Sequence, residues 1–324
     1  MKNSNNFVNI LFKSLQIYLL NIHKFLLYMA FPVLGQLLGI VLIFIPALYL
    51  KDVLPELAAK YAVFAEPSKQ LALVLLTILP GLVLLISAFW KYLVAYAALN
   101  SMTHSALTSG KIYDFPAHNG VVNKNIWSYI LLWLIISILG LAAFNPFLII
   151  PGMIFFIFFI LVFQVFTFES EAGVINCFTK SFKLVKGAFF KTLALAVIML
   201  VIAWGAGELL TFGLGKIIDA KNFLPNIAWM FVATDYVNAV NANLPMQMQI
   251  TPEVISRLLF GSLISFLVFG FTLPLRSICW TLWYKKLLGK TASKTSGKKK
   301  GSKGKKQLDP EILRRAKLKD DEEV

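Results

Sequence analysis

The chain has 324 residues, 58% of them hydrophobic and 28 of them Phe, with a mean hydropathy of +0.73. A water-soluble domain is nearer about 45–50% apolar, and apolar runs longer than about 18 residues read as membrane-spanning helices. The bilayer offers no hydrogen bonds to the backbone, and barrel strands would alternate polar with apolar residues, so the composition excludes a soluble domain and a β-barrel and predicts an all-α polytopic bundle. The formal net charge is +15, unevenly placed: residues 285–324 hold fourteen Lys/Arg against six Asp/Glu.

Residues 1–24 form an N-terminal segment in which 5–24 predict an amphipathic interfacial helix, with Phe7, Val8, Leu11, Leu15, Tyr18 and Ile22 on one face. The segment lacks a compact apolar core with a small-residue cleavage site and is expected to be retained. The membrane domain covers 25–284 with six spans at about 25–50, 71–93, 127–145, 151–168, 188–210 and 255–284, grouped as three hairpins. Between them, 51–70 mixes acids with lysines and reads as a loop. Residues 94–126 read as a polar connection broken by Gly110, Pro116 and Gly120. Asn145-Pro146 to Pro151-Gly152 makes a short turn, and 211–253 is the longest loop.

Residues 171–187 predict a second amphipathic helix, with Val174, Ile175, Phe178, Phe182 and Val185 on one stripe and Lys180, Lys183 and Lys186 on the other. The acids before it, Glu169 and Glu171, suit a helix N-terminus. Residues 285–324 form a Lys-rich tail, with disorder expected over 285–308 and a short charged helix from Asp309-Pro310 through Lys319. On the side holding both termini, 1–24, 91–126, 169–191 and the tail carry twenty-four Lys/Arg, against six on the other side. The positive-inside rule then predicts a multi-pass protein of the plasma (inner) membrane with both termini cytoplasmic.

Two sets of matches suggest repetition among the hairpins. Ile78-Leu79-Pro80-Gly81 echoes Ile149-Ile150-Pro151-Gly152, and Lys13-Ser14 with Lys24 echoes Lys180-Ser181 with Lys191. One block carries a family resemblance: Pro151-Gly152, an apolar span, Glu169, then Phe178-Thr179-Lys180-Ser181-Phe182 and Lys186-Gly187, with the closing run Pro274 through Tyr284. It resembles the prokaryotic family that includes the membrane domain of glycerophosphoryl diester phosphodiesterases. The resemblance implies a polytopic helical domain and brings no catalytic residues. Two positions depart from the family pattern: Lys285-Lys286 stands where an acid often follows the Tyr, and Asn176-Cys177 where small residues precede the Ser.

For chemistry, the three histidines, His23, His104 and His118, show no metal-ligand spacing. No phosphate loop, dinucleotide fingerprint or nucleophile elbow is present. No cofactor, metal or catalytic residue is therefore expected, and Cys177 and Cys279 are expected to be packing residues rather than a disulfide. Ionisable and polar residues inside spans are functional pointers. Arg276 in the last span, Glu208 near the outer end of the fifth, and Gln164 in the fourth are the candidate lipid or substrate contacts, together with Lys180, Lys183 and Lys186. The tail has no interleaved aromatics, so anionic membrane lipid is the expected partner and nucleic acid is not.

Three readings follow. The first is a non-enzymatic protein that organises or scaffolds the membrane through the Lys stripe and tail. The second is a transporter or lipid-handling protein using Arg276. The third is docking of a ribosome or another acidic partner by the tail.

Overall fold

The computed structural model describes residues 8–112, 114–143, 147–169, 173–217, 241–242 and 251–298. Glu171, most of the 211–253 loop, and the tail beyond Lys298 with its expected 309–319 helix lie outside the described residues. Among the described residues all regular structure is helical. The elements are α1 (Val8–Leu20), α2 (Ile22–Lys60), a 3₁₀ turn (Ala62–Ala65), α3 (Pro67–Thr108), α4 (Phe115–Asn123), α5 (Ile126–Ala143), α6 (Ile149–Phe159), α7 (Val162–Phe168), α8 (Val174–Lys186), α9 (Phe189–Ile217), α10 (Pro252–Phe271) and α11 (Leu273–Lys298).

Ile22–Pro46, Pro67–Thr108, Ile149–Phe168 and Phe189–Gly213 are long and apolar enough to cross a membrane, and two bent pairs, 115–123 with 126–141 and 261–271 with 273–290, raise the number to six when each pair is one span. Met1–Tyr284 forms one compact unit and Lys285–Val324 a second.

Helix ends differ from the expected boundaries. The 51–70 loop contracts to Tyr61–Glu66, because Leu54, Glu56, Leu57, Ala58, Ala59 and Lys60 are strong helix formers despite their mixed charge. The connection read over 94–126 is helical to Thr108, and its first half is interior: Val94, Ala95, Ala97, Ala98, Leu99, Asn100, Met102 and Thr103 are all buried. Gly110 is a true breaker, with φ of +69° in the left-handed region. Gly120 breaks nothing and lies inside α4. α3 thus has 42 residues, about 63 Å at about 1.5 Å per residue and about twice the hydrocarbon thickness. The expected disorder from Lys285 gives way to helix as far as Lys298, since extending a formed helix avoids the cost of nucleation.

α2 and α3 pack along a seam of small residues. A Cβ on Gly39 would stand 2.8 Å from the Leu85 backbone N, and one on Gly81 2.8 Å from the Leu42 carbonyl carbon, so only glycine permits this approach. The core around the seam's inner end gathers Phe25, Met29 and Val33 of α2, Ala98, Leu99 and Met102 of α3, and Leu273 and Ile278 of α11.

α1 turns a different face inward than its apolar stripe suggests. Ile10, Ser14 and Ile17 are buried, while Val8, Phe12, Leu15 and Leu19 are exposed. Tyr18 donates to the Phe271 carbonyl at 3.0 Å, so the helix is tied to the bundle by its polar edge and leaves apolar side chains outward, as suits an interfacial helix.

Candidate functional site

Two helix interruptions shape the site. The fourth apolar stretch breaks at Ile160-Leu161 into α6 and α7. Carbonyls in the last turn of a helix have no intrahelical donor, and Ser181 of α8 donates its hydroxyl to one of them, Phe158, at 2.7 Å. Phe158 also lies against Phe182 and Phe189, and Phe159 against Phe178, with centroids 4.6–5.0 Å apart. The amphipathic α8 is therefore clamped across the break by its aromatic and Ser face. Val174, Cys177, Ser181, Leu184 and Val185 are its buried residues. Ile175, expected on the packed stripe, is 80% exposed.

The second interruption is at Thr272, where α10 and α11 meet at 42°. Pro274 cannot donate a backbone N–H and crowds the carbonyl four residues back, which breaks the helix there. Arg276 follows in the first turn of α11. Its Nη2 donates to the Phe269 carbonyl at 2.5 Å, and its guanidinium carbon lies 5.2 Å from the Phe269 ring centroid. The cation thus sits at the C-terminal end of α10, where the helix dipole favours positive charge. Its Nε is buried without an acceptor, and no described carboxylate forms an ion pair with it.

The interruptions border one cavity of about 660 Å³ between α3, α5, α6, α7, α9, α10 and α11. This volume lies within the range of about 300–1,000 Å³ typical of small-molecule sites. The walls are apolar, with Phe156, Leu193, Met199 and Trp280 among them, and the polar side chains at the lining include Arg276, Gln164 and Ser277. Tyr96, Trp133 and Phe163 pack edge-on or tilted against one another with centroids 4.7–5.4 Å apart, fixing α3, α5 and α7 beside it.

Behind the cavity lies a polar network centred on Asn100. Its Oδ1 accepts from Ser277 at 2.6 Å, Thr281 at 3.1 Å and Gln164 Nε2 at 3.2 Å. Its Nδ2 donates to Thr167 at 3.3 Å, and Thr167 donates in turn to the Phe163 carbonyl at 2.8 Å. Asn100 and Thr281 are fully enclosed, and Gln164 is 4% exposed. Such a buried network is stable because its polar groups find partners. Its one vacancy is Gln164 Oε1, buried and without a donor.

At the end of α7, Glu169 gathers a further cluster. One oxygen, Oε1, accepts from Tyr284 at 2.6 Å and pairs with Lys180 at 2.5 Å, while Phe168 stacks on Tyr284 with centroids 5.5 Å apart. Glu169 is the C-cap of α7, and Gly173 is the N-cap of α8, so its role is to join α7, α8 and α11 rather than to complement a helix N-terminus. Cys177 lies in the same region, and burial, helped by the Glu169 carboxylate, pushes its thiol up to about 11. Both cysteines are buried and neither forms a disulfide.

Of the residues singled out in the sequence, the fold brings Arg276 and Gln164 to one cavity. Glu208 is on an exposed face of α9 and does not line it. Lys180 is held by Glu169, and Lys183 and Lys186 are exposed. Sequence reasoning missed Asn100, Thr167, Thr281 and Ser277. For Asn100 a signal was present: the Ala-rich run Ala95-Tyr96-Ala97-Ala98-Leu99 continues the apolar period of α3 to its doorstep.

Among the described residues no group of three His, Cys, Asp or Glu is placed to hold a metal ion. No family model, no curated protein and no solved structure matches this chain.

Proposed function

We propose that this chain is a lipid-handling membrane protein that takes an amphiphile into the cavity between its helices. The observation that carries the reading is the juxtaposition of a cation that has no carboxylate partner among the described residues with an apolar chamber: Arg276 borders about 660 Å³ of space whose walls are otherwise almost wholly hydrocarbon and aromatic. A half-buried guanidinium without a described carboxylate partner is costly in the bilayer, and a bound head group offsets that cost while its tail fills the chamber. Six spans, with each bent pair counted once, and both termini cytoplasmic in the plasma membrane, complete the reading. The resemblance of the Pro151–Gly187 block to a membrane domain attached to glycerophosphoryl chemistry is consistent with a lipid ligand.

The test is native mass spectrometry of the full-length protein released from membranes with its lipid shell. The expected result is one amphiphile retained after the loosely held lipids are stripped. Gly140→Phe should lose it, because Gly140 lines the chamber and an added Cβ there meets no atom within 4 Å, leaving the ring open space to occupy. Equal retention by the parent and the filled variant would overturn the proposal.

A second reading is supported by the lysines of α8. Lys183 and Lys186 are exposed beside an outward-facing Ile175, a combination suited to an anionic leaflet, where each Lys contributes about 1 kcal/mol. In that reading the protein is non-enzymatic and organises the membrane through this face and the Lys-rich tail. Deleting 285–324 should then weaken binding to anionic liposomes at moderate salt; undiminished binding would leave the tail without this role. Docking of a ribosome by the tail remains a third expectation, and its residues beyond Lys298 lie outside those described.

A further inference from the structure

Resting on the proposed amphiphile site, we infer that the ligand's head group carries an anionic oxygen and a separate hydrogen-bond donor, the first for Arg276 and the second for Gln164. Two buried atoms without partners, of opposite sense, belong to side chains that line the same cavity. Arg276 Nε is a donor without an acceptor, and Gln164 Oε1 is an acceptor without a donor. The orientation of the Gln164 amide is set from behind. Its Nε2 donates to Asn100 Oδ1, which already receives Ser277 and Thr281. Turning the amide over would bring two carbonyl oxygens together, so Oε1 is the atom left unbonded. Gln164 is 4% exposed, and an unpaired carbonyl so deeply enclosed costs free energy unless something supplies a proton to it.

These two atoms complement a particular head-group chemistry. A phosphodiester bearing a hydroxyl offers an anion to the guanidinium and an O–H to the amide oxygen, while its acyl chains match the apolar walls. A phosphodiester without a hydroxyl satisfies Arg276 alone. A zwitterionic choline head brings its own cation and has no donor.

The measurement is competitive lipid retention by the full-length protein in nanodiscs, with three lipids of identical chains: phosphatidylglycerol, phosphatidylmethanol and phosphatidylcholine. Phosphatidylglycerol should be held about fivefold more tightly than phosphatidylmethanol, the worth of one neutral hydrogen bond. Phosphatidylmethanol should exceed phosphatidylcholine by about tenfold through the charge. Arg276→Gln should remove the second preference. Gln164→Met should remove the first and keep the second. Thr192→Val, which removes the acceptor of the buried Trp283 Nε1 and belongs neither to the cavity lining nor to the Asn100 network, should keep both, and so separates a direct role of Gln164 from a general disturbance.

If lipid is retained but phosphatidylglycerol and phosphatidylmethanol compete equally, the donor assignment fails and the amphiphile site stands. If the charge preference is absent, the assignment of Arg276 fails. If none of the three lipids is retained, the amphiphile site itself fails.

Discussion

Asn100 carries the heaviest structural duty of any single polar residue described. Replacing it by Leu leaves the Ser277 and Thr281 hydroxyls and the Gln164 amide without their acceptor. The hydroxyls can fall back on carbonyls of their own helix, so the loss should resemble the modest hydrogen-bond energies found between membrane helices, about 0.6 kcal/mol each on average. Asn100→Leu should therefore cost about 2 kcal/mol in a detergent unfolding titration, and Asn100→Asp more, because a carboxylate in that enclosure is uncompensated. Cys177 offers a second check. Its thiol is enclosed and its pKa is raised to about 11, so thiolate is scarce at pH 8 and maleimide labelling there should be much slower than for an exposed cysteine. The unfolded chain releases that proton near the ordinary value of about 9 and the folded chain only near 11, so folding stability should fall as pH rises between them. Arg276 and Gln164 were legible in the sequence because charge and amide stand out in apolar runs. Asn100 was missed despite the Ala-rich run before it, because it lies beyond the span read as 71–93, and polarity alone cannot say whether a segment is solvated or enclosed.

Element boundaries show the same limit more broadly. The interruption at Pro274 is visible in the sequence as a proline, but the break at Ile160-Leu161 has neither Pro nor Gly beside it and becomes intelligible only through Ser181, which caps the freed carbonyl of Phe158 from a distant helix. The helical repeat of Pro80-Gly81 and Pro151-Gly152 also misleads. The first lies inside α3 against α2, and the second opens α6 beside the cavity. The α2–α3 seam yields a sharp prediction. Gly81→Val should destabilise the protein by about 2 kcal/mol or more, as overpacking against backbone does. Gly140→Ala, with open space around it, should stay within about 1 kcal/mol of the parent. Thermal unfolding of the two variants side by side checks the contrast. Equal losses would mean that the glycines act through helix propensity alone.

For the molecule as a whole, the class was legible and the count less so. Hydropathy marks the long apolar stretches, yet whether Phe115–Asn123 with Ile126–Leu141 forms one span or a surface helix and a span depends on the 78° bend between them, which no composition reveals. Orientation can be settled with single cysteines placed at the two ends of α3. Ser68 lies in the first turn of that helix and Ser109 caps its other end, so an impermeant thiol reagent added to intact cells should label Ser68→Cys and spare Ser109→Cys. The reverse pattern would invert the topology.

The close α2–α3 seam has a consequence for how the protein is made. The two helices are consecutive in the chain, joined by only Tyr61–Glu66, and their glycine-lined approach involves no residue beyond Thr108. Domains generally form from the N-terminus as synthesis proceeds, so this hairpin can be complete while two thirds of the protein has yet to leave the ribosome. What comes later is fitted to it: Gly270 of α10 closes on Val33, and Ser277 and Thr281 of α11 close on Asn100. The first hairpin is the template, and the cavity comes into being only when the last helices return to it.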